Sequence, residues 1–178
     1  MATTAEVDDA TALAVGALVI GLLAHDWDAA FNAIERAVSV NPSSSAAYHH
    51  GAFLYGLNAQ SVIAAKYARR ALRLSPFDPL AYHAHMALTF AAIQEERYGE
   101  AAAHGAKLAQ ISPNFGAHLL TDAVALALAG RIEEARLVCA RALEIEPSMR
   151  ISLFRLIGAY GTLGEKYERG LRLLGLPE

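Results

Sequence analysis

Four prolines, Pro42, Pro76, Pro113 and Pro147, are separated by 34, 37 and 34 residues. The same three intervals separate Ala30, Ala64, Ala101 and Ala135. They recur in Ala37, Ala71, Leu108 and Ala142, and in Trp27, Ser61, Tyr98 and Ile132. Four columns sharing one irregular spacing mark an internal repeat of 34 residues with three extra residues in the third unit. A chain of this kind is built from stacked units, each burying its faces on its neighbours, and not around one central core.

Each unit divides into two helical stretches. In the second, Ala46 to Leu57 is followed by the polar break Asn58-Ala59-Gln60-Ser61 and then by Val62 to Leu74. Apolar residues at Ala64, Tyr67, Ala68, Ala71 and Leu72 keep helical spacing. The breaks between units (Asn41-Pro42-Ser43-Ser44, Asp78-Pro79, Pro113-Asn114, Pro147-Ser148) join a residue that cannot extend the preceding helix to one that can cap the next. Pro79 suits a first helical turn. Strand patterns are absent. Because Tyr48 and Tyr82 are 34 apart, the insertion is expected between Tyr82 and Tyr98, lengthening the first helix of unit three. The tail is expected to finish the stack with a helix from Arg150 to Tyr160 and a short basic amphipathic one from Glu165 to Leu174. Arg155, Lys166, Arg169 and Arg172 would supply the polar outer face that a terminal unit needs.

Composition agrees with stacked helices. Of 178 residues, 54% are hydrophobic and 19% charged, and 38 are alanine, the strongest helix former. That excludes a disordered chain. The single cysteine, Cys139, excludes a disulfide scaffold and a multi-cysteine zinc site. A net charge of −3 offers nucleic acid no basic field. The apolar stretch Ala12 to Ala24 follows Glu6, Asp8 and Asp9, where a signal peptide carries cations, and falls short of the roughly 20 residues of a membrane span. It reads as a buried helix with an acidic N-terminus, and the chain as cytoplasmic, without a membrane partner.

The helix pair repeating every 34 residues resembles the tetratricopeptide repeat (TPR). Tyr48 and Tyr82 open first helices; Ala52 and Ala123 are the small contact residues. Trp27 and Tyr98 follow the polar turn, then come the alanine pair and the closing proline. Leu18, where a small residue is expected, and Asp122, where a buried leucine is usual, depart from the pattern. The resemblance implies an all-α, right-handed superhelical solenoid of antiparallel helix pairs. One domain would span 1–178: repeats at 11–44, 45–78, 79–115 (with the insertion) and 116–149, then a partial repeat and capping helix at 150–178. In detail, Leu74-Ser75-Pro76-Phe77-Asp78-Pro79-Leu80, Pro113-Asn114-Phe115, Ala129-Gly130-Arg131 and the closing Gly175-Leu176-Pro177-Glu178 look like the TPR region that follows bacterial class III adenylate or guanylate cyclase domains. That resemblance implies a regulatory C-terminal part of a signalling protein, or a free-standing relative of one. No cyclase catalytic segment lies within the chain, so that activity does not carry over.

In a TPR solenoid the first helices line a concave groove. Its register places Val15 and Val19, then His49, Phe53 and Leu57, then His83 and Phe90, then Leu120 and Val124, and finally Phe154 on that surface. The lining is apolar and aromatic, unlike the Lys/Asn clamp by which chaperone-tail-binding members hold a terminal carboxylate. It suits an apolar peptide, an amphipathic helix or an upstream domain of the parent protein. A second copy, giving a homodimer, or the chain's own tail could fill it equally well.

Other candidates yield little chemistry. His49-His50 and His83-His85 have the wrong spacing to chelate a metal from one helix, so no metal or cofactor is expected. Lys66, Arg69, Arg70 and Arg73 make a solvated basic stripe. Glu133-Glu134 suit a helix N-terminus, and Cys139 reads as packed and unreactive. No phosphate loop, nucleophile elbow or HExxH motif is present, so the chain is read as a non-enzyme.

Overall fold

The computed structural model describes residues 9–157 and 161–178. Glu6 and Asp8 of the acidic flank, and the 158–160 end of the expected helix Arg150 to Tyr160, lie outside the described residues. Among those described there are ten α-helices and no strand. They are α1 (Ala10–Val19, continued by a π-helical turn Ile20–Ala24), α2 (Trp27–Val40), α3 (Ser45–Leu57), α4 (Ser61–Leu74) and α5 (Ala81–Gln94). There follow α6 (Tyr98–Ile111), α7 (Gly116–Leu128), α8 (Ile132–Ile145), α9 (Ile151–Ile157) and α10 (Gly161–Leu173).

The starts of α1, α2 and α3 are capped by short polar side chains. The carboxylate of Asp9 accepts from the amide of Thr11 at 2.8 Å, Asp26 accepts from Ala29 at 3.0 Å and Ser44 from Ala47 at 3.2 Å. Each satisfies an amide that the first helical turn leaves unpaired. The turns after α1, α3, α5 and α7 each hold one left-handed residue. His25, Ala59, Glu96 and Gly130 have φ of 54°, 58°, 60° and 79°, and their numbers repeat the 34, 37, 34 spacing. Around the last three, Gln60, Arg97 and Arg131 donate back to Tyr55, Ala92 and Leu126 at 2.8–3.0 Å, which closes a Schellman motif.

Successive helices pack antiparallel, α1 to α8 in order, with α1, α3, α5 and α7 also touching along one face. This is the right arrangement to make them the inner, concave layer. The alanine columns are the contact points: Ala30, Ala64, Ala101 and Ala135 are completely buried, as are Ala37, Ala71, Leu108 and Ala142. Two apolar clusters result, one around Ile34 and Leu54, the other around Ile93, Leu120 and Leu163. Helix α1 is not buried all round. Ala14 and Ala17 face α2 and α3, while Val15, Val19 and Leu23 are exposed, so the expected buried helix is buried along one side only.

The insertion falls earlier than expected. The linker before α5, 75–80, has six residues against four before α3 (41–44) and before α7 (112–115), and α5 is one residue longer than α3. Ring pairs confirm the shift. Tyr48 meets Tyr67 with centroids 5.2 Å apart, and their partners one unit on, 37 residues away, are His85 and His104 at 5.5 Å. Tyr82 is therefore not the counterpart of Tyr48. Two extra residues extend the linker, where Asp78 accepts from the Leu80 amide at 2.9 Å.

The tail differs most. Helix α10 lies on α5 and α7, the inner layer, and so turns back over the concave face. Leu163, Tyr167, Gly170 and Leu171 are its buried residues. Arg155 and Arg172 do stand at the surface, where both pair with Glu168 and Glu178.

Candidate binding groove

Beside α10 the concave face retains a cavity of about 330 Å³. Helix α5 gives it Tyr82, Met86 and Phe90, spaced four apart on one face, together with His83. The end of α3 adds Phe53 and Leu57. From α7 come Ala117, His118 and Thr121, with Phe115 just before the helix, and α9 and α10 close one side with Phe154 and Tyr167. Among the described residues, no Lys, Arg, Asp or Glu lines it.

The rings pack on one another. Phe53 stacks on His83 at 4.8 Å with planes 22° apart. Tyr82 lies 4.2 Å from His83 and 5.2 Å from His118, and Phe115 is edge-on to His118 at 4.4 Å. Tyr167 meets Phe90 at 5.9 Å and Phe154 at 5.4 Å. Its hydroxyl is 2.8 Å from that of Thr121. Thr121 donates to the Ala117 carbonyl at 2.9 Å, so Tyr167 is the donor in the pair. Burial raises the Tyr167 pKa and keeps the phenol protonated.

The histidines here are neutral. Burial, with neighbouring histidines, lowers His83 to about 3, and burial lowers His118 to about 4. Behind the cavity His50 Nδ1 lies 3.2 Å from His83 Nδ1, and His50 too is lowered to about 4, chiefly by burial. Two neutral rings can share that contact as donor and acceptor. The wall is thus aromatic and uncharged at neutral pH.

Five of the sequence-predicted groove residues come together here: Phe53, Leu57, His83, Phe90 and Phe154. His49, Leu120 and Val124 do not line the cavity and are completely buried. His49 turns toward Asp78 in the linker, its Nε2 3.9 Å from Oδ2. Val124 lies under Gly170 of α10, and Leu120 points into the core. In α7 the lining is Thr121, one residue and so about 100° round from Leu120. Val15 and Val19 lie exposed on α1. The lining that went unforeseen includes Tyr82, Met86, His118 and Thr121. The signal in the sequence that could have found part of it is the four-residue step of Tyr82, Met86 and Phe90.

No protein-family model matches the chain, and no curated protein does either. Solved structures do match. YrrB, a TPR protein with an unusual peptide-binding site, aligns at TM-score 0.61 and 16% identity over 94% of this chain and 87% of its own. TTC0263, a thermophilic TPR protein of Thermus thermophilus, aligns at 0.64 and 19% identity over 93% and 90%. MamA from MSR-1 aligns at 0.60 and 18% over 93% and 92%. The chain has the tetratricopeptide-repeat fold.

Asp122 of α7 is buried, its Oδ1 has no hydrogen-bond partner, and burial raises its pKa to about 6. Glu133 and Glu134 pair with Arg136 and Arg131 at the start of α8. Lys66, Arg69 and Arg73 are exposed on α4, and Arg70 sits 5.8 Å over the Tyr48 ring. Cys139 is buried, which pushes its thiol up. Among the described residues no group of three or more His, Cys, Asp or Glu is placed to hold a metal ion, and no helix is long and apolar enough to cross a membrane.

Proposed function

We propose that the chain is a non-catalytic protein-interaction scaffold whose concave cavity accepts an apolar segment of a protein or peptide partner. The uncharged, aromatic-walled cavity of about 330 Å³ carries this reading. Sites of that size, mostly apolar with a few converging polar groups, are where proteins take ligands, and TPR-fold YrrB has a peptide-binding site. The sequence resemblance to cyclase-linked TPR regions supports a regulatory role in a bacterial cytoplasmic signalling protein. The test is a screen of helical and extended peptides by fluorescence anisotropy, repeated with Phe53→Ala and with Ala117→Phe, which fills the cavity. Binding that weakens at least tenfold in both variants, with helicity intact, supports the site; peptides that bind both variants as well as the parent place binding elsewhere.

The exposed Val15 and Val19 on α1 and Leu23 in the turn after it favour a second reading, a homodimer through that apolar surface. Light scattering at micromolar concentration separates the two. A monomer removes the dimer; a dimer that Leu23→Asp dissolves supports it.

A further inference from the structure

Helix α10 leaves the path of the solenoid to lie in its groove. Leu163, Tyr167 and Leu171 form one stripe at four-residue steps, and all three are buried against the inner helices. Gly170 lies at the closest approach: a Cβ there would be 2.7 Å from Cγ1 of Val124 and 3.4 Å from Leu128. The Tyr167–Thr121 hydroxyl pair fixes the register at 2.8 Å. At the rim, Lys166 reaches the Gln94 carbonyl at 2.7 Å and the Glu96 carboxylate at 2.8 Å. Arg169 donates to the Tyr98 hydroxyl at 3.0 Å.

The segment is also tied to itself. Arg155 of α9 pairs with Glu168 of α10 at 2.9 Å, and the Ile151 amide donates to the Pro177 carbonyl at 2.8 Å. The described contacts of α10 with the solenoid are then an apolar stripe, one hydroxyl pair and exposed rim bonds. That is the anatomy of an amphipathic helix held in a groove. Exposed ion pairs of this kind contribute a few-fold at most, so the seat is specified mainly by the spacing of the stripe and by the glycine, with the Lys166 contacts adding to it.

We propose that the seat of α10 is a helix-binding site which the chain fills with its own terminus. Its external partner is an amphipathic helix of the same pattern: leucine, tyrosine four residues on, glycine at seven and leucine at eight, with a basic residue just before the tyrosine to meet Glu96. The proposal rests on reading the concave face as a protein-binding surface. Tethered beside its seat, α10 acts at an effective concentration on the order of millimolar, so a partner helix competes with it directly.

The probe is a fluorescein-labelled peptide of residues Gly161–Glu178, titrated by anisotropy with the full chain and with its Gly170→Leu variant. Leucine at 170 collides with Val124 and unseats α10, leaving the groove free. The variant should bind the peptide at least tenfold more tightly than the parent chain, and a peptide carrying the same Gly170→Leu change should not bind it. Equal binding by both chains, or equal binding of both peptides, overturns the proposal. Lys166→Glu, which opposes Glu96 without adding bulk, should give a several-fold gain in affinity for the parent peptide. It decides the matter if Gly170→Leu fails to fold, and no gain overturns the proposal. Were screened peptides to bind in an Ala117-dependent way while the α10 peptide did not, the scaffold reading would stand and this inference would fall.

Discussion

Gly105 of α6 faces Asp122 of α7 so closely that a Cβ on Gly105 would stand 3.0 Å from the Asp122 Cα and 2.8 Å from its Oδ1. The carboxylate could swing aside but the backbone Cα cannot, so the two helices meet here because one residue has no side chain. Gly105→Ala should therefore destabilise the fold although alanine is the better helix former. Overpacking of this kind costs about 1–3 kcal/mol. Urea unfolding followed by far-UV circular dichroism would show a lower midpoint; an unchanged or raised midpoint would mean that α6 and α7 separate freely.

Across the same contact, the Asp122 carboxyl is buried with Oδ1 unpaired, and burial raises its pKa from 3.8 to about 6. A carboxyl that binds its proton more tightly when folded adds stability below about pH 4 and loses it as pH rises through 6. At pH 7 the folded chain holds a buried charge. Asp122→Asn should then be more stable than the parent at pH 7–8, by about 1–3 kcal/mol, with the difference gone near pH 4. Thermal melts of the two proteins from pH 4 to 8 check this, and parallel curves would contradict it.

The histidines act in the opposite direction. His50 and His118 are lowered to about 4 and His83 to about 3, against 6.5 when unfolded. The unfolded chain therefore binds more protons between about pH 6.5 and 4, and stability falls as pH falls through that window. Each group can account for a few kcal/mol. The two windows overlap, so the measurement belongs in the Asp122→Asn background, where the acid-side loss should be steeper. His83→Gln, which keeps a polar group beside Phe53 without titrating, should flatten it. If its melting temperature falls with acid as steeply as the background's, the charge enters elsewhere.

These groups also show how far the sequence could be followed. The period was legible because many positions repeat it, and the buried alanine columns lie where it put them. Asp122 stood out as a carboxylate among apolar neighbours, and the structure buries it. Groove positions were harder, since one residue turns a helix by about 100°: Leu120 and Thr121 are adjacent in sequence, yet one is core and the other lines the cavity. The insertion was misplaced because Tyr48 and Tyr82 are both tyrosines at a fitting interval. Their structural roles differ, and the real counterparts of the Tyr48–Tyr67 pair are two histidines. The path of α10 could not be read locally. Its stripe of Leu163, Tyr167 and Leu171 says that a face will be buried, but either an outer helix or the groove could bury it. The glycine that meets Val124 only acquires meaning once the two are side by side.

The turns between paired helices offer the last test. His25, Ala59, Glu96 and Gly130 all adopt positive φ, and only Gly130 is of the type that does so without steric cost. An L-residue in this conformation is disfavoured by about 1–2 kcal/mol. Glu96 also carries the ion pair with Lys166, which would confuse its replacement. Ala59 is the clean position, since its side chain is a single methyl and its neighbours Asn58 and Gln60 are polar. Ala59→Gly relieves the strain, while greater freedom of the unfolded chain takes back about 0.4–1 kcal/mol. The net expectation is a gain of about 0.5–1 kcal/mol, read as a higher urea midpoint with an unchanged slope. Gly130→Ala is the mirror experiment, because the same Schellman turn there already uses glycine, and should cost a similar amount. Loss of stability in both variants would show that the Ala59 methyl contributes more through packing than it costs in backbone strain.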